Sequence, residues 1–328
     1  MRYFVTGCAG FIGSHLTERL LARGHEVVGY DNLSTGRESF LASAMRSPDF
    51  RLIRGDLLDT SMLAAAMTGS QRVFHCAANA DVRFGLARPR RDLEQNTIAT
   101  HNLLEAMRST AVHRIAFTST GSVYGDAAVV PTPEDAPCPI QTSLYGASKL
   151  AAEGLITAYC TGYGLQCHIF RLVSILGERY THGHVFDFYA QLRADPSRLR
   201  VLGDGHQRKS YLHVQDCIDA MLLASEQADE RINLFNVGGD GYCEVRQSIE
   251  WICEALGIAP ALEFGGGDRG WSGDSPFIHL DSSRIRGLGW RPSLPLRESV
   301  LRTLSYLRAH PQLLDAAQST ARAAESLL

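Results

Sequence analysis

The chain has 328 residues, of which 45% are hydrophobic and 20% charged, and its formal net charge is −3 at pH 7. This size and composition predict a globular protein of about two domains, or of one domain with a large added lobe. A core of this size needs no disulfide bonds or metal ions to be stable. The nearly neutral charge gives no sign of a polyanion-binding surface, so we expect no nucleic-acid partner.

The first half of the chain alternates short apolar or β-branched runs with longer helical patterns, which indicates βαβ units and a parallel sheet. The fold class is therefore predicted as α/β with a doubly wound parallel sheet. The predicted elements, in chain order, are strand 2–5, helix 14–23, strands 26–30, 50–54 and 72–76, helix 96–109, strand 114–119, helix 145–161 and strand 167–173.

The sequence pattern changes after residue 173: the predicted helices and strands become shorter, and glycine and proline become frequent. Loops of this kind often carry binding groups on a rigid scaffold. We expect residues 1–173, rejoined by about 211–239, to form a cofactor-binding domain. Residues 174–210 and 240–310 are predicted to form a smaller C-terminal substrate-binding lobe. The Ala-rich residues 311–328 are predicted to be a loosely attached tail.

The eight cysteines are scattered without a CxxC pair, and no short-spaced ligand cluster accompanies them. This pattern predicts free thiols in a reducing compartment and no metal site. No apolar run approaches the roughly 20 residues that span a bilayer, and the N-terminal residues do not form a signal-peptide pattern. We therefore expect a cytoplasmic protein with no membrane association.

The first predicted strand runs into TGCAGFIG, a GxxGxxG pattern formed by Gly7, Gly10 and Gly13. Glycines allow a tight turn and a close approach of the backbone to a pyrophosphate. The following helix N-terminus offers unpaired N–H groups and the positive end of its dipole. Such turns also occur for packing alone, so the motif by itself is weak evidence for a dinucleotide site.

Asp31 ends the second predicted strand about 20 residues beyond the glycines, the spacing at which a carboxylate binds both hydroxyls of an adenosine ribose. A carboxylate there repels the 2′-phosphate of NADP, so NAD is favoured, although the nearby Arg37 is able to accommodate that phosphate. Asp56 follows the third strand. Two interpretations of Asp56 stay open: an acceptor for the adenine amino group, or a capping residue of its own loop.

Tyr145 and Lys149 lie four residues apart in YGASK, a spacing that places both side chains on one helix face. An ammonium group lowers the pKa of a nearby phenol, so such a pair can act as a general base. Alone, the spacing also fits an exposed helix face. The strand before it ends at Thr120, whose hydroxyl is expected to point into the ligand crevice of a doubly wound fold.

Taken together, TGCAGFIGSHL, YDNLSTG, GDLLD, FHCAA, Asn96, TSTGSVYG, YGASK and LGDGHQRKSYLHVQD resemble the extended short-chain dehydrogenase/reductases in both sequence and order. The resemblance reaches about residue 305 and implies a Rossmann domain. Within the NAD-dependent epimerase/dehydratases, the chain is most similar to the UDP-glucose (UDP-galactose) 4-epimerases. The residues that the resemblance assigns to NAD are Gly7, Gly10, Phe11, Ile12, Gly13, Asp31, Asn32, Ser34, Thr35, Gly36, Asp56, Leu57, Ala77, Ala78, Asn96, Tyr145 and Lys149.

The same resemblance implies a 4-epimerase acting on a UDP-hexose, a UDP-N-acetylhexosamine or a UDP-uronate through a transient 4-keto intermediate. Tyr145 is then the base for the sugar 4-hydroxyl, Thr120 binds the oxygen at C4, and Lys149 holds the nicotinamide ribose. The implied substrate contacts are Arg83, Ser122, Ser174, Val185, Phe186, Arg208, Lys209, Arg269 and Asp274.

Several positions depart from the family pattern and affect the expected substrate. Ser174 replaces an Asn near the diphosphate, Lys209 replaces an Arg, and the Pro usual after Gly177 is missing. Ile278 stands where a bulky aromatic residue in some relatives excludes N-acetyl groups. Arg269 and Asp274 also fit solvated loop charges, and Arg83 fits either a uronate carboxylate or the surface.

Four other functions fit the same residues less well. A 4,6-dehydratase usually has Asp-Glu after the catalytic Thr, and a decarboxylase has a Glu at the position of Ser122; this chain has Gly121-Ser122. A 4-ketoreductase uses NADPH, against the Asp31 signal. A non-catalytic NAD(H) sensor has no need of Thr120, Tyr145 and Lys149 together. The resemblance also implies a homodimer paired through helices that begin near residues 96 and 145.

Overall fold

A seven-stranded parallel sheet forms the centre of the computed structural model, which describes residues 1–79, 88–138, 140–271 and 273–315. In chain order the strands are β1 (Arg2–Thr6), β2 (Glu26–Asp31), β3 (Phe50–Arg54), β4 (Arg72–His75), β5 (Arg114–Thr120), β6 (Gln166–Leu172), β7 (Ser174–Leu176), β8 (Arg198–Val201), β9 (Arg208–Lys209), β10 (Tyr211–His213), β11 (Ile232–Val237), β12 (Cys243–Glu244), β13 (Ala261–Phe264) and β14 (Phe277–Ile278).

The helices pack on both faces of this sheet and in the second half of the chain. They are α1 (Phe11–Ala22), α2 (Leu63–Met67), α3 (Pro89–Asp92), α4 (Ala99–Ser109), α5 (Leu144–Tyr163), α6 (His184–Ala194), α7 (Val214–Gln227), α8 (Val245–Leu256), α9 (Ser283–Gly287) and α10 (Leu296–Ala309). A π-helical segment, Leu93–Ile98, joins α3 to α4, and 3₁₀ turns occupy Glu38–Leu41, Ala44–Arg46 and Gly121–Tyr124.

The strand order of the large sheet is β11-β6-β5-β4-β1-β2-β3. Because β1 lies between β2 and β4, the direction of winding reverses at this point. Doubly wound sheets bind ligands outside the carboxyl ends of the strands at such a reversal. The fold therefore places the crevice between the glycine-rich turn after β1 and the segment after β4.

The strands are buried on both faces, which explains their nearly continuous apolar runs. Phe74 of β4 packs with α1 and α7 in one hydrophobic cluster, whereas Phe117 of β5 packs with α2, α4 and α5 in another. Both rings are fully buried. Burying an aromatic side chain of this size contributes about 1.5–3 kcal/mol, so the two clusters hold the helices against the sheet.

Helix α5 carries the predicted catalytic pair and has clear sequence signals at both ends. Ser143 caps its first turn by accepting a hydrogen bond from the N–H of Gly146 at 3.0 Å. Gly164 ends the helix in the left-handed conformation, with φ 71°, which glycine adopts without strain. A serine cap contributes about 1 kcal/mol to a helix.

A third hydrophobic cluster lies in the second half of the chain, where α6, α8 and α10 pack together. Three small sheets surround it, formed by β7 with β10, by β12, β9 and β14, and by β8 with β13. Leu313 and Leu314 are buried in this cluster. The described start of the segment predicted to be loosely attached, residues 311–315, is thus packed against the protein.

The predicted α/β class and all the predicted strands are confirmed, with ends that differ by at most one residue. The predicted helix 14–23 begins earlier, at Phe11, because the glycine turn closes within four residues. The predicted helix 96–109 is divided, since its first residues belong to the π-helical segment. Within the predicted segment 211–239, only β11 joins the large sheet, while β10 pairs with β7.

All eight cysteines lie in described parts of the chain, and all are free thiols, as their scattered spacing predicts. None of the helices in the described parts of the chain has both the length and the apolar character needed to cross a bilayer.

Candidate active site

The glycine-rich turn after β1 is shaped for close backbone approach. Gly7 has φ 68°, and a Cβ on it would lie 2.6 Å from the amide nitrogen of Ala77 in the segment after β4. A Cβ on Gly13 would lie 2.1 Å from the carbonyl oxygen of Gly7. Gly10 caps α1 without a side-chain hydrogen bond. A helix N-terminus of this kind, here with the N–H groups of Phe11 and Ile12, can bind an anion.

These contacts predict the effect of filling the turn. We expect Gly13→Ala to lose about 1–3 kcal/mol of unfolding free energy and to bind NAD far more weakly, since the new methyl group forces the turn open. Urea unfolding and calorimetric titration with NAD measure the two effects. Gly154→Ala is the matched control, because its Cβ meets no described atom within 4 Å. Unchanged NAD affinity in Gly13→Ala would contradict the assignment of this turn.

Asp31 joins the end of β2 to the glycine-rich turn. Its carboxylate accepts hydrogen bonds from the N–H of Ala9 at 2.9 Å and of Leu33 at 2.8 Å. Burial raises the pKa of Asp31, while these two backbone N–H groups lower it. A carboxylate has about four acceptor positions, so two remain for ribose hydroxyls. Gly36 leaves the necessary space, since a Cβ there would lie 2.9 Å from Oδ1 of Asp31.

Asp56 behaves as a capping residue in the structure. Its Oδ1 accepts from the N–H of Leu58 at 2.9 Å, and its Oδ2 accepts from Nδ2 of Asn32, also at 2.9 Å. Oδ1 of Asn32 in turn accepts from the N–H of Ser34. The loops after β2 and β3 are thus joined beside Thr35 and Leu57. Asp56 caps its loop, and its contact with an adenine amino group stays a prediction.

Lys149 is buried beneath the end of β5, with 1% of its surface exposed. Its ammonium donates to the carbonyl of Thr118 at 2.9 Å and lies 4.5 Å from the centre of the Phe117 ring. Burial lowers the pKa of Lys149 to about 8, against the opposing effects of Cys76 and Glu153. The side chain is thus held in one position, where burial disfavours its charged form.

Tyr145 lies one helical turn before Lys149, and Thr120 ends β5 beside it. Burial raises the pKa of the Tyr145 phenol to about 12; a hydrogen bond with Thr120 lowers this pKa, and the Asp92 carboxylate raises it. The spacing of Tyr145 and Lys149 predicts a lowered pKa, and this prediction is wrong for the free protein, since a buried phenolate loses its hydration. The Ser122 N–H donates to the hydroxyl of Thr120 at 3.1 Å. This bond fixes the start of the Gly121–Tyr124 turn, here called the catalytic turn, at the end of β5.

Asn96 fastens the segment after β4 to α5. Its Oδ1 accepts from the N–H of Asn79 at 2.8 Å, and its Nδ2 donates to Ser148 at 2.9 Å. Asn79 also donates to Asp92 at 2.7 Å, and Ser148 donates to the carbonyl of Tyr145 at 2.8 Å. This buried chain of hydrogen bonds holds Ala77 and Ala78 against the catalytic helix. No sequence signal singled out Asn79, Asp92 or Ser148.

A buried ion pair between Glu153 and Arg171 contacts the end of β5 next to the catalytic residues. Glu153 accepts from Nη2 of Arg171 at 2.7 Å and from the hydroxyl of Ser119 at 2.5 Å. Arg171 also lies over the Tyr124 ring at 4.7 Å. Since Glu153 follows Lys149 by four residues, the helical spacing that predicted the Tyr–Lys pair was also a signal for Glu153.

The predicted cations of the nucleotide end are divided between two faces of β9. Lys209 donates to Asp274 at 2.6 Å and to the carbonyl of Ser275 at 2.5 Å. Arg208 lies on the opposite face, 4.0 Å from the centre of the Phe277 ring, because successive strand residues point in opposite directions. Arg269 donates to the carbonyl of Asp274 at 2.6 Å. The structure therefore groups Lys209, Arg269 and Asp274 and leaves Arg208 apart.

The other predicted substrate contacts are dispersed. Ser174 is exposed at the start of β7, whereas Val185 and Phe186 are buried in the third cluster at the first turn of α6. Ile278 contacts the catalytic turn, with its Cγ2 3.3 Å from the position of a Cβ on Gly121. The predicted contact Arg83 lies outside the described residues.

The fold and this crevice define an NAD-dependent enzyme of the doubly wound α/β class. The chain belongs to the NAD dependent epimerase/dehydratase family, whose model matches residues 3–238.

Individual relatives extend this similarity over nearly the whole chain. A UDP-glucose 4-epimerase of Mycolicibacterium smegmatis is 35% identical over 318 residues, which cover 95% of this chain and 100% of the relative. A crystal structure of a UDP-galactose 4-epimerase is 37% identical, with a TM-score of 0.85 and coverage of 94% and 99%. The dTDP-glucose 4,6-dehydratase of Streptomyces venezuelae, solved with NAD bound, is 27% identical, with a TM-score of 0.88 and coverage of 94% and 98%. The backbone alone therefore does not separate epimerases from dehydratases.

Proposed function

We propose that this chain is an NAD-dependent nucleotide-sugar 4-epimerase that acts on a UDP-hexose through a transient 4-keto intermediate. The observation that carries the proposal is the placement of Thr120, Tyr145 and Lys149 at the carboxyl end of β5, next to the glycine-rich turn. The M. smegmatis relative, similar over its full length, supports the same activity.

In the proposed reaction, each proton-transfer and binding step uses one of the chain's own groups. Thr120, hydrogen-bonded to Tyr145, binds the oxygen at C4 and orients it toward the phenol. Tyr145 removes the proton of the 4-hydroxyl and later returns it, as a general base and then a general acid. Bound NAD supplies reversible oxidation at C4 and, in its oxidised form, a positive charge that favours the phenolate. Lys149, fixed on the carbonyl of Thr118, holds the nicotinamide ribose.

The raised pKa of Tyr145 has a consequence for this cycle. A phenol with a pKa of about 12 stays protonated at neutral pH in the free protein. Release of this proton would therefore need the positive charge that bound NAD would supply, together with the Lys149 ammonium, beside the substrate. The same high pKa favours the return of the proton to the sugar, which completes the epimerisation.

We propose that the nucleotide is bound by the smaller lobe, formed by residues 174–210 and 240–310, against the cofactor-binding residues 1–173 and 211–239. Lys209, Arg269 and Asp274 converge there, near the catalytic turn. The Arg269 guanidinium binds the diphosphate, and the Asp274 carboxylate binds the uridine ribose. Ser122 and Ile278 border the sugar, and a side chain no larger than Ile278 leaves room for an N-acetyl group as well as a hexose.

The two alternatives have weaker support. A 4,6-dehydratase needs an acid and a base at C5 and C6, and the turn after Thr120 offers Gly121 and Ser122 in their place. A non-catalytic NAD(H) sensor does not explain why Tyr145, Lys149 and Thr120 meet at one strand end. Both readings predict no inversion at C4, which makes the activity assay decisive.

We also propose that the protein is a cytoplasmic homodimer. The π-helical segment and α5 expose large apolar side chains, namely Leu93, Ile98, Leu144 and Tyr163, on the helices that the family resemblance implies as the interface. Free thiols fit a reducing compartment.

The test is incubation of purified protein, without added cofactor, with UDP-glucose, UDP-N-acetylglucosamine or UDP-glucuronate. Proton NMR then reads the sugar configuration at C4. We expect inversion with at least one of the three, and the preferred sugar identifies the substrate class. No turnover of any of them, with NAD supplied, would contradict a UDP-sugar epimerase and direct the search to other nucleotide sugars and to dehydration.

A further inference from the structure

The segment 265–275, described except for residue 272 and here called the strap, crosses from the smaller lobe to the catalytic side of the crevice. The hydroxyl of Thr142 donates to the carbonyl of Gly273 at 3.3 Å, and that of Ser275 donates to the carbonyl of Gly125 at 3.1 Å. The strap therefore meets two segments that flank the catalytic residues: one directly follows the Gly121–Tyr124 turn, and the other precedes Tyr145.

A two-pronged ion pair lies at this meeting point. Nη1 of Arg269 in the strap donates to Oδ1 of Asp126 at 3.2 Å, and Nη2 donates to Oδ2 at 2.7 Å. The side chains of Arg269 and Asp126 are 37% and 49% exposed. The other ion pair of the nucleotide end, Lys209 with Asp274, is only 13% and 5% exposed.

The two pairs differ in how easily they exchange partners. Separating a buried pair leaves uncompensated charge in a low-dielectric site. Separating Lys209 from Asp274 is therefore unfavourable, and this pair stays together. An exposed pair contributes little, typically less than about 1 kcal/mol, so Arg269 is free to change its partner. A guanidinium presents the same planar fork to a carboxylate and to a phosphate.

We propose that Asp126 is a positioning residue that holds the Arg269 guanidinium in the free enzyme and is displaced by the diphosphate of the nucleotide sugar. This inference rests on the proposed function, in which Arg269 meets that diphosphate. Asp126 thus competes with substrate and product for one cation, weakens the binding of both, and lets the nucleotide leave after each turnover. Its position six residues after Thr120 links the strap to the catalytic strand.

A purely structural role for Asp126 predicts the opposite sign. If the pair with Arg269 only braces the strap, removing the carboxylate loosens the site and weakens nucleotide binding. If Asp126 competes with the diphosphate, removing its charge strengthens binding. The direction of the change in affinity therefore separates the two roles.

The experiment measures the dissociation constant of UDP by titration calorimetry of the full chain loaded with NAD. We expect Asp126→Asn to bind UDP about two- to five-fold more tightly, Asp126→Glu to restore the wild-type value, and Arg269→Ala to bind more weakly. Adding Asp126→Asn to Arg269→Ala should change nothing further. Glu263→Gln, which removes one charge from another exposed ion pair with arginine, controls for net charge and should leave the constant unchanged.

Unchanged or weaker UDP binding by Asp126→Asn would overturn the inference while leaving the epimerase proposal intact. So would tighter binding that persists when Arg269 is absent, because the effect would not pass through that guanidinium. Failure of the wild-type protein to bind UDP at all would instead overturn the UDP assignment itself, and the inference with it. The KM for the UDP-sugar should fall in parallel with the UDP constant, without a rise in kcat.

Discussion

Tyr145→Phe should lower the rate of C4 inversion by about 10²–10⁴-fold, the usual contribution of a positioned acid–base group. The substitution removes only the phenolic oxygen that takes and returns the proton. The ring, which is half-buried beside Thr120, stays in place. We therefore expect NAD and UDP affinities to remain close to those of the wild type, so that the loss appears in kcat rather than in KM. Proton NMR of the sugar and calorimetric titration measure the two quantities.

Tyr163→Phe is the matched control for this substitution. Tyr163 lies at the opposite end of the same helix, away from the crevice, and phenylalanine keeps the ring that the proposed dimer interface would contact. Its removal of one hydroxyl group should leave the inversion rate unchanged. A Tyr145→Phe enzyme that keeps more than about a tenth of the wild-type rate would contradict the role of Tyr145 and make another group the base.

The sequence was sufficient for those parts of the site that rest on local spacing. The period of apolar residues located the strands, and the turn after β1 was visible because Gly7, Gly10 and Gly13 have a fixed spacing. Tyr145 and Lys149 were visible because residues four apart share a helix face. These signals survive in the sequence because the interactions involved span only a few residues.

The rest of the site depends on contacts between distant segments. Residue propensity does not identify a strand of two residues, so the separation of Arg208 from Lys209 by the pleat of β9 could not be predicted from the sequence. The contact between Asp126 and the Arg269 guanidinium, 143 residues apart along the chain, leaves no local signal either. The predicted direction of the Tyr145 pKa shift was wrong, because residue spacing reveals a neighbouring charge but not the depth of burial.

Glu153→Gln should reduce the free energy of unfolding by about 3–5 kcal/mol, the cost of leaving one partner of a buried ion pair uncompensated. The substitution keeps the shape of the side chain and removes its charge, so the Arg171 guanidinium is left buried without its carboxylate. Urea unfolding of the NAD-loaded protein measures the loss. A decrease below about 1 kcal/mol would show that Arg171 finds its compensation elsewhere.

A second variant separates stability from positioning. Replacing both partners, Glu153→Leu with Arg171→Met, removes both buried charges and should recover much of the lost stability, as apolar replacements of buried pairs commonly do. It does not restore the contact of Glu153 with Ser119, which adjoins Thr120. We therefore expect the double variant to fold well yet remain slower than the wild type in C4 inversion, with a decrease in kcat. Equal recovery of stability and rate would show that the pair serves only the fold. Recovery of stability alone would make Glu153 the group that positions the end of β5 against α5.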